Sequence, residues 1–282
     1  MFCKSSEFSK FEEFKIRILM NYYFSIWWNY VLQNIKVVLT YRVNFIISFF
    51  ATLIYVVINL SFIWVIFENI PSLAGWNFYE VIFMFGIGEI TFGVFAVIGQ
   101  NFTNNLAANI VDGQLDRTLL RPINPFLQQL IENFNLNDVV IVFKGLVLVT
   151  FAVLNLNLEI GLKEILIFIV AIFSGSITYL GIFVTISSLS FWLKDRRGLI
   201  DPLYVMNNYS RWPLNIYPKI IRFFMTWVLP FAFVAFYPTN LILGKEDFMQ
   251  ISMFAPFMAI LTLCFAFFIY SKGIKKYEST GT

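Results

Sequence analysis

The chain has 282 residues, of which 59% are hydrophobic, 20% are aromatic and 13% are charged, and its formal net charge is +3. A soluble domain could not bury so much apolar surface, so the composition predicts an all-helical integral membrane protein with about six spans of ~20 residues each. The basic residues lie in short loops rather than in one tract, which predicts no nucleic-acid partner.

Metal and cofactor chemistry is not expected. The sequence has no histidine, which is the commonest metal ligand and general base. Its two cysteines, Cys3 and Cys264, lie at different expected depths, so they predict neither a disulfide nor a redox pair. The sequence therefore predicts no catalytic residue, no metal site and no cofactor.

The first region, residues 1–42, mixes aromatic and charged side chains. Its apolar side chains recur at roughly helical spacing at Phe8, Phe11, Ile18 and Tyr22. This mixture is typical of a helix that lies in the cytoplasmic membrane interface. An alternative is a seventh span at residues 16–32, which would place the charged start of the chain outside.

Apolar runs long enough to cross a bilayer occupy residues 43–67, 81–99, 138–156, 165–193 and 251–270. Lysine and arginine collect before the first run and after the fourth, while residues 68–80 contain neither. Because basic loops stay in the cytoplasm, both termini are expected inside, which requires an even number of spans. The transmembrane domain is predicted at residues 43–271 of a plasma (inner) membrane protein, and residues 272–282 form a cytoplasmic tail.

Glu89 interrupts the second run, about 16 Å from its cytoplasmic end at 1.5 Å per residue. An ionised side chain at that depth must face the bundle, a cavity or a counter-charge. Gly86 and Gly93 lie on the same helix face and permit close helix contact. Lys144, in the third run, is the expected partner. The pair has two interpretations, a structural ion pair or a group that lines a transport path or gate.

An amphipathic segment follows the second run. On a helix, its apolar stripe would consist of Ala107, Val111, Leu115 and Leu119. Asp112 and Asp116 flank the stripe on one side. Arg117 and Arg121 fall on the far side, and Pro122 is expected to end the helix. Such a helix either rests on lipid or binds a soluble partner.

Strings in three parts of the sequence resemble the membrane subunit of type-2 ABC exporters. They are DGQLDRTLLRPI at residues 112–123, RWPLNIYP at residues 211–218, and the pairs Leu229-Pro230 and Tyr237-Pro238. The resemblance covers nearly the whole chain, although no single residue in these strings performs chemistry. In that family the loop after the second span carries a coupling helix, which fits a groove on a cytoplasmic ATPase.

The resemblance therefore implies an ATPase-coupling role for Asp112, Leu115, Asp116, Arg117, Leu119 and Arg121. It also implies a broken, re-entrant hairpin before the last span, divided by Pro218, Pro230 and Pro238. This arrangement favours residues 199–216 as the fifth span, because broken backbone is tolerated where protein buries it. Hydropathy and the count of basic residues alone favour residues 220–241 instead.

The function implied by the resemblance is that of an ABC transporter permease in an exporter. Substrate would cross between two permease subunits, identical or related and surrounded by membrane lipid, driven by an ATPase on a separate chain. The chain is not expected to be an enzyme, because Val94 and Phe95 stand where a phosphate loop starting at Gly88 needs Lys and Ser or Thr.

The alternative function is an ion-coupled secondary transporter that uses Glu89 and Lys144 as an intramembrane relay. Such transporters are often built from repeated halves, with broken helices in corresponding positions. Only the second half of this chain has a broken segment, which disfavours the alternative.

Overall fold

The computed structural model describes residues 25–158, 161–194, 199–245 and 249–278. The apolar side chains on which the interfacial helix was predicted, Phe8, Phe11, Ile18 and Tyr22, lie outside the described residues. Residues 25–40, which follow them, are helical and run directly into the first span.

The described part of the chain is helical and contains no β-strand. In chain order its helices are α1 (residues 25–40), α2 (Arg42–Asn69), α3 (Phe78–Phe95), α4 (Asn101–Val111), α5 (Leu115–Leu119), α6 (Pro125–Glu132), α7 (Val139–Leu156), α8 (Leu162–Ser188), α9 (Ser190–Leu193), α10 (Ile200–Tyr209), α11 (Lys219–Phe223), α12 (Phe236–Ile242), α13 (Met249–Ser252) and α14 (Ala255–Lys275).

Within the described ranges, the helical segments long and apolar enough to cross a membrane are Phe45–Asn69, Phe78–Val111, Leu136–Leu156, Leu162–Leu193 and Ala255–Lys275. The segments Lys219–Val228 and Phe231–Ile242 bend by 77° relative to each other, and they make a sixth span if they are counted as one. The prediction of an all-helical membrane protein is thereby confirmed, at five or six spans.

The region expected to hold the fifth span is broken in both of its candidate segments. In residues 199–216 the helix α10 has ten residues, which is about 15 Å at 1.5 Å per residue, and a short 3₁₀ turn follows at Leu214–Ile216. In residues 220–241 the chain bends around Pro230. Proline explains the breaks, because it lacks the N–H that a continuing helix requires.

At one end of the bundle, a helix cap and an ion pair hold the loop between α2 and α3 in place. Asn77 caps α3 by accepting a bond from the Glu80 amide, and the Glu80 carboxylate accepts one from the Asn77 amide in return. The Lys245 ammonium lies 2.9 Å from the Glu80 carboxylate and 3.0 Å from the Gly75 carbonyl oxygen. It also lies 4.1 Å from the centre of the Trp76 ring. We call this end the Lys245 end.

Buried apolar side chains form two clusters. The larger, the main core, surrounds α3 and includes Phe83, Ile87, Tyr179 and Phe233. The smaller, the loop core, lies at the opposite end of the bundle and consists of Phe102, Leu106, Ile110, Leu115, Phe126, Val184, Phe191, Ala266 and Tyr270. Most of α3 is buried between the other helices, whereas α2 is mostly exposed and contacts the main core along one face that includes Val56, Leu60 and Ile63.

Candidate functional site

Glycines bring α3 and α7 into backbone contact around the predicted ion pair. A Cβ added to Gly145 would lie 2.6 Å from Ile90 Cγ1 and 2.7 Å from the Ile90 nitrogen. A Cβ added to Gly93 would lie 2.7 Å from the Val142 nitrogen. Since such distances leave no room for a larger residue, the two helices approach closely only because glycine stands at the crossing.

This crossing places Glu89 beside Lys144. The Lys144 ammonium lies 2.6 Å from Glu89 Oε2, and Glu89 is 1% exposed. The same ammonium lies 4.8 Å from the centre of the Tyr55 ring on α2, a cation–π distance. The carboxylate is about 16 Å along α3 from Phe78, at 1.5 Å per residue, and so lies deep within the span.

Arg211 is a second cation on the same carboxylate, and the sequence analysis did not identify it. Its Nη1 donates to Glu89 Oε1, while its guanidinium lies 5.5 Å from the Phe85 ring and 5.6 Å from the Phe92 ring. Gly88 makes the approach possible, because a Cβ there would lie 3.0 Å from Arg211 Cγ.

Arg211 could have been identified by comparing its expected depth in the membrane with that of Glu89. If residues 199–216 cross the membrane, Arg211 lies about 18 Å beyond Leu199 at 1.5 Å per residue, close to the depth of Glu89. The sequence analysis used this arginine only within the string at residues 211–218 and in the count of basic residues, and did not pair it with Glu89.

Glu89, Lys144 and Arg211, which we call the ion cluster, contain two cations and one carboxylate. Within the described residues, Arg211 Nε has no hydrogen-bond partner. A buried charge without a counter-charge is costly, so the single carboxylate must hold both cations in place. The described residues contain no group of three His, Cys, Asp or Glu side chains suited to a metal ion. Because the two ion pairs join residues of α3, α7 and the segment after α10, the cluster can hold these three segments together.

Two hydrogen bonds between side chains attach α10 to neighbouring helices. The Tyr179 hydroxyl donates to Asn207 Oδ1, and the Tyr204 hydroxyl donates to Asn104 Oδ1 at 2.8 Å. The first bond joins α10 to α8, and the second joins it to α4. These hydrogen bonds hold α10 against α8 and α4. Such contacts matter because α10 contains too few apolar residues to be stable in contact with lipid alone.

The amphipathic segment after the second span differs from the single helix expected. Helix α4 ends at Val111, and Gly113, at φ 72°, separates it from the five-residue α5. A positive φ is accessible to glycine without strain, and it turns the chain at this point. The stripe expected from Ala107, Val111, Leu115 and Leu119 is consequently not continuous.

Leu115 points into the protein rather than toward a partner. It is fully buried in the loop core, which also contains Leu106 and Phe126. Its role in the structure is to anchor α5. Leu115 is therefore not accessible for the direct contact with an ATPase that the resemblance implies.

The exposed side chains of this segment follow Leu115 in the chain. Leu120 is 86% exposed and Leu119 is 39% exposed, and Arg117 is also exposed. The exposed Arg121 forms an ion pair with Glu132 on α6, which raises the pKa of the Arg121 guanidinium. We call Arg117, Leu119, Leu120 and Arg121 the coupling surface.

The two aspartates of the segment are half-buried beside this surface. Asp112 is the residue at which α4 ends. Asp116 lies near Tyr277, which follows α14; burial and then the Asp116 carboxylate raise the pKa of Tyr277 to about 12. The last span and the segment are thus in contact at this end of the bundle.

The three predicted hairpin prolines occupy different positions in the broken region. Pro218 precedes α11, Pro230 lies at the 77° bend, and Pro238 is buried within α12. Pro218 and Pro230 lie where the backbone changes direction, whereas Pro238 lies inside a helix, and the three prolines do not assemble into one site.

These features define a helical protein that crosses a membrane several times, with an ion cluster buried between its spans and an exposed segment at one end. A family model described as ABC-2 family transporter protein matches residues 53–281, and the chain belongs to this family. It is thus a membrane permease component of an ABC transporter and not itself the ATPase. No curated protein and no solved structure matches the chain.

Proposed function

We propose that this permease works in an exporter and is driven by an ATPase on a separate chain, which binds the coupling surface. The observation that carries the proposal is Leu120, which is 86% exposed in a segment that Leu115 anchors to the loop core. Burying one leucine side chain is worth about 1.5–3 kcal/mol, so this side chain is suited to a partner's groove.

The charges around Leu120 add specificity to such a contact. Arg117 is exposed and Arg121 is half-exposed, so the partner's groove is expected to carry acidic side chains near them. Asp112 and Asp116 lie at the edge of the segment, where they favour a basic residue of the partner. A bilayer would also accept the leucines, but its mobile headgroups do not hold acidic and basic groups in a fixed arrangement that matches these side chains.

The proposed orientation places the coupling surface and both termini in the cytoplasm. The basic residues before α2 and at the end of α14 support it, because short basic segments are retained on that side. The Lys245 end would then face outward from the plasma (inner) membrane. In this orientation the bent segments Lys219–Val228 and Phe231–Ile242 form a re-entrant hairpin, for which the 77° bend is the supporting observation.

Two permease subunits, identical or related, are proposed to face each other in lipid, with substrate moving outward between them. The competing function, an ion-coupled relay through Glu89 and Lys144, is supported less well. Both oxygens of Glu89 are occupied by cations and its side chain is 1% exposed, which favours a structural ion cluster over a group that exchanges ions.

Co-purification of the ATPase with the permease tests the proposal. Leu120→Asp should leave membrane yield unchanged and reduce ATPase recovery by at least tenfold, because it places a charge in the groove. Leu162→Asp is the matched control, since Leu162 is 76% exposed at the Lys245 end. Equal recovery with both variants would mean that the coupling surface does not bind the ATPase.

A further inference from the structure

A groove lies between α8, α12 and the start of α14, near the Lys245 end of the bundle. It encloses a volume of about 400 Å³. Its wall on α8 runs from Lys163 to Ser174 and includes Val170. Across from it stand Leu241 on α12 and Met253, which directly precedes α14 by one residue. We call this cavity the Lys163 groove.

The groove exists because α8 and α14 touch closely at one point and are separated beside it. A Cβ added to Gly181 on α8 would lie 2.7 Å from Thr262 Cβ on α14, so glycine permits the close contact there. The groove begins at Ser174, about two helical turns nearer the Lys245 end. Helix α14 begins only at Ala255, and the short helices α12 and α13 before it leave part of α8 uncovered.

The interior of the groove suits a hydrocarbon chain. Leu166 and Val170 are about half exposed although they belong to a membrane-spanning helix, so lipid or another protein surface must cover them. The Ser174 hydroxyl, at the inner end, donates to the Ala171 carbonyl oxygen at 3.1 Å. Its proton is therefore not available to a polar ligand, and an apolar occupant leaves no donor unpaired there.

The length of the groove matches one leaflet of a bilayer. Lys163 and Ser174 are eleven residues apart in one helix, which is about 16 Å at 1.5 Å per residue. Half of a hydrocarbon layer of ~30 Å is about 15 Å. An acyl chain that enters beside Lys163 therefore reaches the middle of the membrane at Ser174.

Lys163 gives the mouth of the groove a positive charge. It is exposed, and within the described residues it forms no ion pair. The next residue, Glu164, lines a different groove of about 210 Å³ between α7 and α8, and its carboxylate accepts a bond from the Gly161 amide at 3.0 Å. The two grooves beside α8 thus have rims of opposite charge. A lysine near the membrane surface attracts anionic headgroups, which favours the Lys163 groove.

We propose that the Lys163 groove binds one acyl chain of an anionic phospholipid, whose phosphate lies against the Lys163 ammonium. The bound chain fills the space that α12 and α14 leave beside α8, and so it supports the packing of the broken region before the last span. A zwitterionic phospholipid fits less well, because its own cationic group offsets the attraction between its phosphate and Lys163. The inference goes beyond the proposed function and uses only the location of the chain in a membrane.

Native mass spectrometry of the purified permease in detergent tests the lipid preference. The delipidated protein is titrated with phosphatidylglycerol or with phosphatidylcholine that carries the same acyl chains. The first lipid should bind about fivefold more tightly when it is phosphatidylglycerol, which is the effect of one lysine near a membrane surface. Inorganic phosphate should not displace it, because phosphate cannot fill the groove. Equal affinity for the two lipids, or displacement by phosphate, would overturn the proposal.

Two variants, each with a matched control, locate the bound lipid. Lys163→Glu should abolish the preference for phosphatidylglycerol, whereas Lys219→Glu, the same change in charge at an exposed lysine of α11, should keep it. Val170→Trp places a large ring in the groove and should weaken binding of both lipids by about tenfold or more, because the acyl chain loses its buried contact. Ile169→Trp, at an exposed neighbour outside the groove, should bind both lipids like the wild type.

A preference for phosphatidylglycerol that persists in Lys163→Glu would overturn the proposal, and so would undiminished lipid binding in Val170→Trp. If Val170→Trp separates permease dimers and leaves lipid binding unchanged, the groove belongs to an interface between two copies of the chain instead. Lys163→Glu changes only an exposed side chain and should unfold at the wild-type midpoint without anionic lipid, so its result decides the question if Val170→Trp does not fold. No outcome bears on the contact between the ATPase and the coupling surface.

Discussion

Arg211 donates a hydrogen bond to Glu89 from a position 122 residues further along the chain, and Lys144 contacts the other oxygen of that carboxylate. The three side chains come from α3, from α7 and from the turn after α10. One carboxylate therefore connects two packed spans to the broken region before the last span. This relation makes Glu89 the residue whose loss should be most damaging.

Glu89→Gln should destabilise the permease more than removal of either cation. It leaves two buried cations without a counter-charge, and loss of one member of a buried ion pair typically costs about 3–5 kcal/mol. Lys144→Met should cost least, because Glu89 then keeps Arg211 in a neutral pair. The measurement is the unfolding midpoint of each purified variant in mixed micelles. Lys163→Met, an exposed lysine, is the control. A loss for Lys144→Met equal to that for Glu89→Gln would contradict this account of the cluster.

Gly145→Ala should separate α3 from α7. The new methyl group would meet the Ile90 backbone at 2.7 Å, and backbone cannot rotate away as a side chain can. Overpacking of this kind costs about 1–3 kcal/mol. Unfolding midpoints would be compared with Leu146→Ala, at a neighbouring residue that is 44% exposed. Wild-type stability in Gly145→Ala would show that the helices have more room than these distances indicate.

At the Lys245 end, Glu80→Ala should lower the free energy of unfolding more than Lys245→Ala does. Glu80 both completes the cap of α3 and binds Lys245, and a cap alone contributes about 1 kcal/mol. Lys245 contributes only a partly exposed ion pair and its contact with Trp76, for which about 0–1 kcal/mol is expected. A double-mutant cycle on unfolding free energies checks this. Equal losses from the two single variants would show that the cap is not significant.

The sequence predicted most of the spans because each is a long apolar run that stands out without tertiary information. It also offered Lys144 as the partner of Glu89, since both residues lie inside such runs. Arg211 was missed although the resemblance favoured residues 199–216 as a span, because the segment is too polar to stand out and the depth of Arg211 was not compared with that of Glu89. Its depth is set by contacts with Gly88 and Glu89 that are remote in the chain.

The segment after the second span shows a second limit of prediction from the sequence. The spacing of Leu115 and Leu119 fits one helical face, but Gly113 turns the chain before it and directs Leu115 into the loop core. Periodicity cannot distinguish an apolar residue that faces a partner from one that faces the protein's own core. The exposure of Leu120 therefore required the folded structure.

Photo-crosslinking from position 120 in native membranes tests the central claim most directly. A photoreactive amino acid at Leu120 should give one dominant protein adduct, and mass spectrometry should identify it as an ATPase with a phosphate-binding loop. The same amino acid at Leu162, at the opposite end of the bundle, should not give this adduct. Only lipid adducts from position 120, or an ATPase adduct from position 162 instead, would contradict the account of a permease driven through its coupling surface.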